Sequence, residues 1–221
     1  HPTSAGAILE IGGDYVTFAS DRIEAHRPGV IACFFQGCAG DQKVDARDDD
    51  DDGYRKLDLV EVQQRGEQLG DAVLRVIESD DLKPVEGKLE WTQVMVEIDT
   101  DLPSHDELQQ HLASSQAYIV EWAQHHLDLL AAGTPAKRKF DFEVQTLRIG
   151  RDLAVVGLAG EMSVEYGLHY RYRFGADYTA VWTLGYTNEM VGYVPVQRQI
   201  SEGGYEVVDN NRRLLYTGPF G

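Results

Sequence analysis

Three short segments carry side chains whose types make chemical sense together: an imidazole, a carboxylate and phenols. They are His1-Pro2-Thr3-Ser4, then Gly157-Leu158-Ala159-Gly160-Glu161, then Gly185-Tyr186-Thr187-Asn188-Glu189 running on through Gly192-Tyr193-Val194-Pro195. In the second, an apolar run ends in small residues and a carboxylate takes the first helical position. Glu161 would then project from the end of a strand, where α/β proteins place ligands. The alternative is an acid that favours a helix N-terminus, worth a few tenths to about 1 kcal/mol. On that loop alone both stand.

Other candidates carry less. His111, His125 and His126 fall on one expected helix; His125 and His126 are adjacent and so point about 100° apart, which is wrong for joint metal ligation, and all three are expected at the surface. The acidic tract Asp45 to Asp52, interrupted by Ala46 and Arg47, holds five consecutive Asp residues. These repel one another, and the tract lacks the Gly-containing interleaved pattern of a calcium loop, so a solvated, mobile loop is expected. Cys33 and Cys38 are expected to be buried free thiols, and two cysteines do not decide the redox compartment.

The elements that must position these residues follow from periodicity. Tyr15, Phe18, Ala19 and Ile23 have helical spacing over Asp14 to Glu24, and Pro28-Gly29 ends that helix before the apolar run Val30 to Phe35, expected as a buried strand. Leu59, Val62, Leu69, Ala72, Val73 and Val76 mark a long amphipathic helix over Leu57 to Ile77. Leu89, Trp91, Val94, Val96 and Ile98 predict a strand with one buried face. Asp101 to His105 is expected as a turn, with Ser104 capping a helix that runs to Leu130 and stops at Gly133 and Pro135. Phe140 to Leu147 and Leu153 to Leu158 form an expected hairpin about Gly150-Arg151-Asp152. A helix from Glu161 to about Arg171 and a strand from Tyr178 to Leu184 follow, and the chain beyond Gly185 is expected as ordered loop. The fold class is α/β with mixed α+β layers, central mixed sheets flanked by helices, in one domain over residues 1–221.

Composition narrows the function. A chain of 221 residues with 43% hydrophobic residues buries a substantial core, and a net charge of −17 argues against nucleic acid, whose affinity comes from Lys and Arg displacing counterions. No apolar run approaches the roughly 20 residues that span a bilayer, so no transmembrane segment is expected.

Read as a whole, the order of blocks is more specific: HPTS, then IGGDY at Ile11 to Tyr15, FFQGCAGD at Phe34 to Asp41, LAGEMSVEYG at Leu158 to Gly167, GYTNEMVGYVP at Gly185 to Pro195, and EGGYEV at Glu202 to Val207. This order resembles the catalytic domain of the neutral, non-lysosomal ceramidases and their shorter bacterial relatives, over nearly the whole chain, as the central-to-late part of that domain. The resemblance implies a zinc ion held by two histidines, a glutamate and a tyrosine, with a metal-bound water as nucleophile on a ceramide-like N-acyl amide. His1 matches the second zinc-binding histidine, where ceramidases read His-Gly-Thr-Ser. Glu161 matches the glutamate ligand and Tyr193 the tyrosine ligand, which precedes Val-Thr in ceramidases and Val-Pro here. Tyr205, twelve residues further on, looks like the family's second active-site tyrosine, which faces the substrate carbonyl. Zinc accepts such N and O donors and lowers the pKa of bound water to about 7.

Two departures are visible. The family's first histidine ligand lies in an upstream His-x-His segment that this sequence does not include, and Gly37 stands where ceramidases carry a serine thought to assist at the scissile amide. Asp14, in the Gly-Gly-Asp-Tyr block, resembles a position close to the site that could orient His1, or else it caps the helix that begins there. The implied partner is a small-molecule or lipid amide, and the family's usual export implies a secreted or periplasmic protein. Two other classes stand beside this one. One is a non-catalytic fragment or degenerate scaffold, which would bind no zinc. The other is a copper chelate of the His1 α-amine and imidazole with a second histidine, as in secreted polysaccharide monooxygenases, which are β-sandwiches without long helices.

Overall fold

The protein is described from a computed structural model over residues 1–6, 11–48, 51–100, 103–134 and 139–218. Its described residues form seven α-helices and a mixed sheet of four strands. Contacts divide the chain into two compact units, residues 1–36 with 42–85, and residues 37–41 with 86–221, each considered by itself below.

The first unit is built on two helices, α1 (Asp14–His26) and α2 (Leu59–Glu78), with a short antiparallel pair between them, β1 (Arg47–Asp48) and β2 (Asp51–Tyr54). Helix α2 starts at a reciprocal cap, the Glu61 N–H donating to the Asp58 carboxylate at 2.9 Å and the Asp58 N–H to the Glu61 carboxylate at 3.0 Å. Gly66 and Gly70 lie on its buried face and let α1 come close: a Cβ at Gly66 would stand 2.4 Å from the Tyr15 carbonyl oxygen and 2.5 Å from Phe18 Cβ. Glycine weakens a helix by about 1 kcal/mol relative to alanine, and here backbone contact with α1 offsets that loss. Arg22 pairs with Asp71 at 2.7 Å on the rim of this contact. A small core of Ala5, Ala46, Leu57 and Val62, with Tyr15, Phe18 and Val44 against it, closes the unit.

Three expectations are corrected in and next to this unit. The acidic tract is not wholly loop, since Arg47–Asp48 ladders with Asp51–Tyr54; Asp49 and Asp50 lie outside the described residues. Val30 to Phe35 forms no strand, and Ile31 is 83% and Phe35 64% exposed. An apolar run becomes a strand only where a neighbour offers a ladder, and the bridge that does form, Gly37 to Leu184, lies just beyond it. Of the two free thiols, Cys38 is buried as expected and Cys33 is exposed.

The second unit holds the sheet β3 (Leu89–Asp99), β4 (Lys139–Ile149), β5 (Leu153–Leu158) and β7 (Ala180–Leu184) in that spatial order. The first two pairings are antiparallel and β5 with β7 is parallel, the crossover passing through β6 (Glu161–Met162) and α5 (Val164–Phe174). One face carries Phe142, Val156 and Leu158 into a core with Cys38, Ala159, Met162, Val191 and Val194, against which Tyr166 and Tyr170 of α5 pack. On the other face Trp91, Leu147, Val155 and Trp182 stand in one register row across all four strands. The expected buried face of β3 is therefore corrected: Leu89, Trp91, Val94 and Val96 are exposed, and Ile98 packs on the core. Its alternation slips between Trp91 and Val94, which sends the apolar residues to both faces, and β3 is an edge strand.

The helix expected from Ser104 to Leu130 is two: α3 (His105–His111) and α4 (Ala117–Ala131). Ser104 caps α3 with Glu107 as expected, and the break falls where the Ser114 hydroxyl accepts the Gln116 N–H at 3.2 Å, a local alternative to helical pairing. Asp101 and Pro135 lie outside the described residues. Leu108, Trp122, Ala123 and Leu127 pack between these helices. His126 corrects the surface expectation, being 3% exposed with Nε2 3.2 Å from the Tyr216 carbonyl oxygen; the 100° step puts one of two adjacent histidines inside while His125 stays half-buried. The segment after Gly185 is more ordered than expected: it contains β8 (Tyr193–Val194), α6 (Gln197–Glu202), a π turn (Tyr205–Asp209) and α7 (Asn210–Arg213).

Candidate active site

The site in the second unit begins where β5 runs out. Glu161 is not the first residue of a helix: it opens β6, which pairs in parallel with β8 in the register Glu161 to Tyr193 and Met162 to Val194. Backbone bonds lock the two loops together. The Gly160 N–H donates to Glu189 O at 3.0 Å, the Glu161 N–H to Gly192 O at 2.7 Å, the Tyr186 N–H to Gly160 O at 2.9 Å and the Thr187 N–H to Leu158 O at 3.0 Å. Gly160 has φ +82°, and a Cβ there would stand 2.6 Å from Gly192 O, so glycine alone fits this crossing.

The chain then turns into α5 through Ser163, and a remote carboxylate takes the first helical N–H. Asp41 accepts the Val164 N–H at 2.8 Å and the Gln199 amide at 3.0 Å. Gln199 in turn accepts from the Ser163 hydroxyl at 2.7 Å and from the Val196 N–H at 2.9 Å. This clamp sits two residues beyond Glu161 and three beyond Tyr193, so it fixes the exits of both short strands.

Register neighbours on parallel strands lie about 4.8 Å apart with side chains on the same side. The Tyr193 phenol accordingly hydrogen-bonds the Glu161 carboxylate, and the Tyr186 hydroxyl donates to Glu161 Oε2 at 2.9 Å. The Tyr205 ring meets Tyr193 edge-on, with centroids 5.8 Å apart and planes at 75°. Burial raises the Tyr193 pKa well above the ordinary phenol range, and the Glu161 carboxylate adds to it, followed by Tyr205 and Glu206. Gly37 lies against the same loops: a Cβ at Gly185 would stand 3.2 Å from Gly160 O and 3.3 Å from Gly37 O. A Cβ at Gly37 itself would meet nothing closer than Thr183 O at 3.7 Å, so this backbone leaves room for a Cβ there.

His1 and Asp14 belong to the first unit. The His1 ammonium donates to Gln42 O at 3.2 Å. The Asp14 carboxylate accepts the Ser4 hydroxyl, the Ala5 N–H at 3.2 Å and the Tyr15 N–H at 2.7 Å, so it ties the start of α1 to the segment that follows His1. The N-cap position of α1 is Gly13, and Asp14 is the first helical residue, with φ 53°.

The sequence segments at Glu161 and Tyr193 thus meet in space, with Tyr205 beside them. The roles of Tyr186, Asp41 and Gln199 have no local signal in the sequence, because they rest on contacts between segments 25 and 158 residues apart. Among the described residues no cluster of three or more His, Cys, Asp or Glu side chains stands at metal-binding spacing. The pair that does form is a carboxylate against a neutral phenol, whose ionisation burial opposes most, with the Glu161 and Glu206 carboxylates adding to it.

No family model and no curated protein matches this sequence. Among solved structures, the chain is similar to the neutral ceramidase from Pseudomonas aeruginosa, with a TM-score of 0.63 and 17% sequence identity over 92% of this chain. The match spans 38% of that longer chain. At this identity the likeness is one of fold, and the chain therefore shares its fold with part of a neutral ceramidase.

Proposed function

We propose that the chain contributes a zinc centre to the hydrolysis of an N-acyl, ceramide-like amide bond. The observation that carries the reading is the parallel register of Glu161 with Tyr193, which pairs the two side chains marked as ligands by the sequence resemblance. In this reading Glu161 and Tyr193 are two of the metal's ligands. Asp14, through Ser4 and Ala5, orders the segment that begins at His1. A bound zinc would supply a water activated at neutral pH and polarise the amide carbonyl. Tyr205, held by its edge contact with Tyr193, donates its phenol hydrogen to the carbonyl oxygen as charge develops there. A secreted or periplasmic location belongs to the same reading.

The test is hydrolysis of a fluorogenic N-acyl amide by the purified protein with added zinc. Activity should vanish with chelator and with Glu161→Ala, and fall about 100- to 1,000-fold in Tyr205→Phe, as for loss of one donor to a developing oxyanion. Zinc binding without turnover of any N-acyl amide would sink the substrate assignment, and neither binding nor turnover would leave a non-catalytic scaffold.

A further inference from the structure

The segment Asn210 to Thr217 is held on α3 and α4 by two histidines that suit the contact only while neutral. On α4, the Tyr216 carbonyl oxygen accepts from Trp122 Nε1 at 2.5 Å and lies 3.2 Å from His126 Nε2. A carbonyl only accepts, so His126 carries its proton on Nε2, and Nδ1 is bare and buried, with no hydrogen-bond partner. On α3, His111 Nε2 lies 3.4 Å from Arg212 Nη2 of α7; a guanidinium only donates, so that ring nitrogen is bare as well. A proton on His126 would put a charge in a buried place beside the His125 ring, whose centre is 5.1 Å away. A proton on His111 would break the bond to Arg212 and set two cations against each other. Burial holds both rings below the ordinary histidine range; the Tyr216 and Leu215 carbonyls offset part of this at His126, and Glu107 part of it at His111. The other charged groups at this seam are Asp209, 3.5 Å from Arg212, and Arg213, over the Tyr118 ring at 3.9 Å.

The segment is also strained, and it touches the candidate site. Leu215 sits at φ 57°, a left-handed conformation that is unfavourable for a bulky side chain and persists where the surroundings hold it. A Cβ at Gly192 would stand 2.4 Å from Asn210 Nδ2 and 2.7 Å from Leu214 Cδ1, and Gly192 O is the acceptor of the Glu161 N–H at 2.7 Å. Asn211, fully buried, donates through Nδ2 to Val207 O at 3.0 Å, within the π turn that begins at Tyr205. We propose that His111 and His126 form an acid-released latch: on protonation they free Asn210 to Thr217 from α3 and α4, which removes the support behind Gly192 and loosens the pairing of Glu161 with Tyr193. The latch goes beyond the amide-hydrolase reading and needs neither metal nor substrate.

Native-state hydrogen exchange between pH 7.5 and 5, corrected for the intrinsic pH dependence of exchange and repeated at several sub-denaturing urea concentrations, tests the latch. Three amides report on it: Tyr216 N–H, bonded to Asn211 O at 2.9 Å, Leu214 N–H, bonded to Asn210 O at 3.1 Å, and Glu161 N–H. Each histidine that charges only on release multiplies the opening constant by up to about tenfold per pH unit below about 6.5. Opening at the three amides should therefore rise about 10- to 100-fold toward pH 5 and depend little on urea, as a local opening does, while amides of β4 and β5 keep the urea dependence of global unfolding. The double variant His111→Gln with His126→Gln cannot titrate and should lose the rise; should it fail to fold, the profile of the unaltered protein still decides. Opening at Tyr216 that stays level from pH 7.5 to 5, that carries the urea dependence of β4 and β5, or that rises equally in the double variant would overturn the latch. A rise at Tyr216 and Leu214 with none at Glu161 would overturn its link to the site.

Discussion

Asp41 offers the sharpest test of how this site is held. Its carboxylate accepts the Val164 N–H at 2.8 Å, serving as cap to α5 from 123 residues away, and the Gln199 amide at 3.0 Å. The N-cap residue of α5, Ser163, makes no side-chain bond of its own to that helix, so Asp41 supplies what the local sequence does not. Replacing Asp41 by alanine removes a cap, worth about 1 kcal/mol, and a part-buried side-chain hydrogen bond of about 1 kcal/mol. The sum, about 2 kcal/mol, corresponds to a melting midpoint lowered by about 4–8 °C for a chain of this size. Asp41→Asn retains a carbonyl acceptor for Val164 and should lose about half as much. Differential scanning calorimetry reads the midpoints, and hydrogen exchange at Val164 reads the cap itself. An Asp41→Ala variant that melts with the parent and leaves Val164 equally protected would refute the clamp.

Three further outcomes follow from the packing. Gly66→Ala should destabilise by about 1–2 kcal/mol, because the added methyl would stand 2.4 Å from Tyr15 O and the gain in helix propensity is only about 1 kcal/mol; urea unfolding with a midpoint at or above the parent's would contradict the close helix crossing. His126 and His111 are both held below the ordinary histidine range by burial, with His125 beside the first and Arg212 beside the second adding to it. The unfolded chain then takes up protons near pH 6.5 that the folded one does not, so stability is full above that pH and is lost as pH falls through it. Urea midpoints across this range should drop toward acid, and His126→Phe should flatten the slope; a midpoint that rises toward acid would count against buried neutral histidines. Gly37→Ser should fold with unchanged stability, since the new Cβ meets nothing nearer than 3.7 Å, and a fall of several degrees in its melting midpoint would show that the space is not there.

How much of this was legible depended on the length of the signal. Helices α1 and α2 and the β4–β5 hairpin have sustained periods, and they appear within a few residues of where the spacing put them. Glu161 and Tyr193 were visible as side chains in marked segments, whereas the two-residue strands that join them have no period to read. The same reason hid β8, the π turn and α7 in the last third, where the order comes from bonds between loops rather than from a repeating face. Residues 30–35 and β3 depart for a different reason: their apolar residues suggest burial, yet nothing in a local pattern says whether a partner surface covers them. His126 faces inward where a surface position is expected, because helical phase fixes the angle between two neighbours and not which of them faces inward.

The central claim, that Glu161 and Tyr193 are two ligands of one zinc centre, is tested most directly by elemental analysis of the purified protein after dialysis against zinc. The account predicts near-stoichiometric zinc in the unaltered protein and its loss in both Glu161→Ala and Tyr193→Phe. Zinc absent from the unaltered protein, or retained equally by both variants, would contradict it.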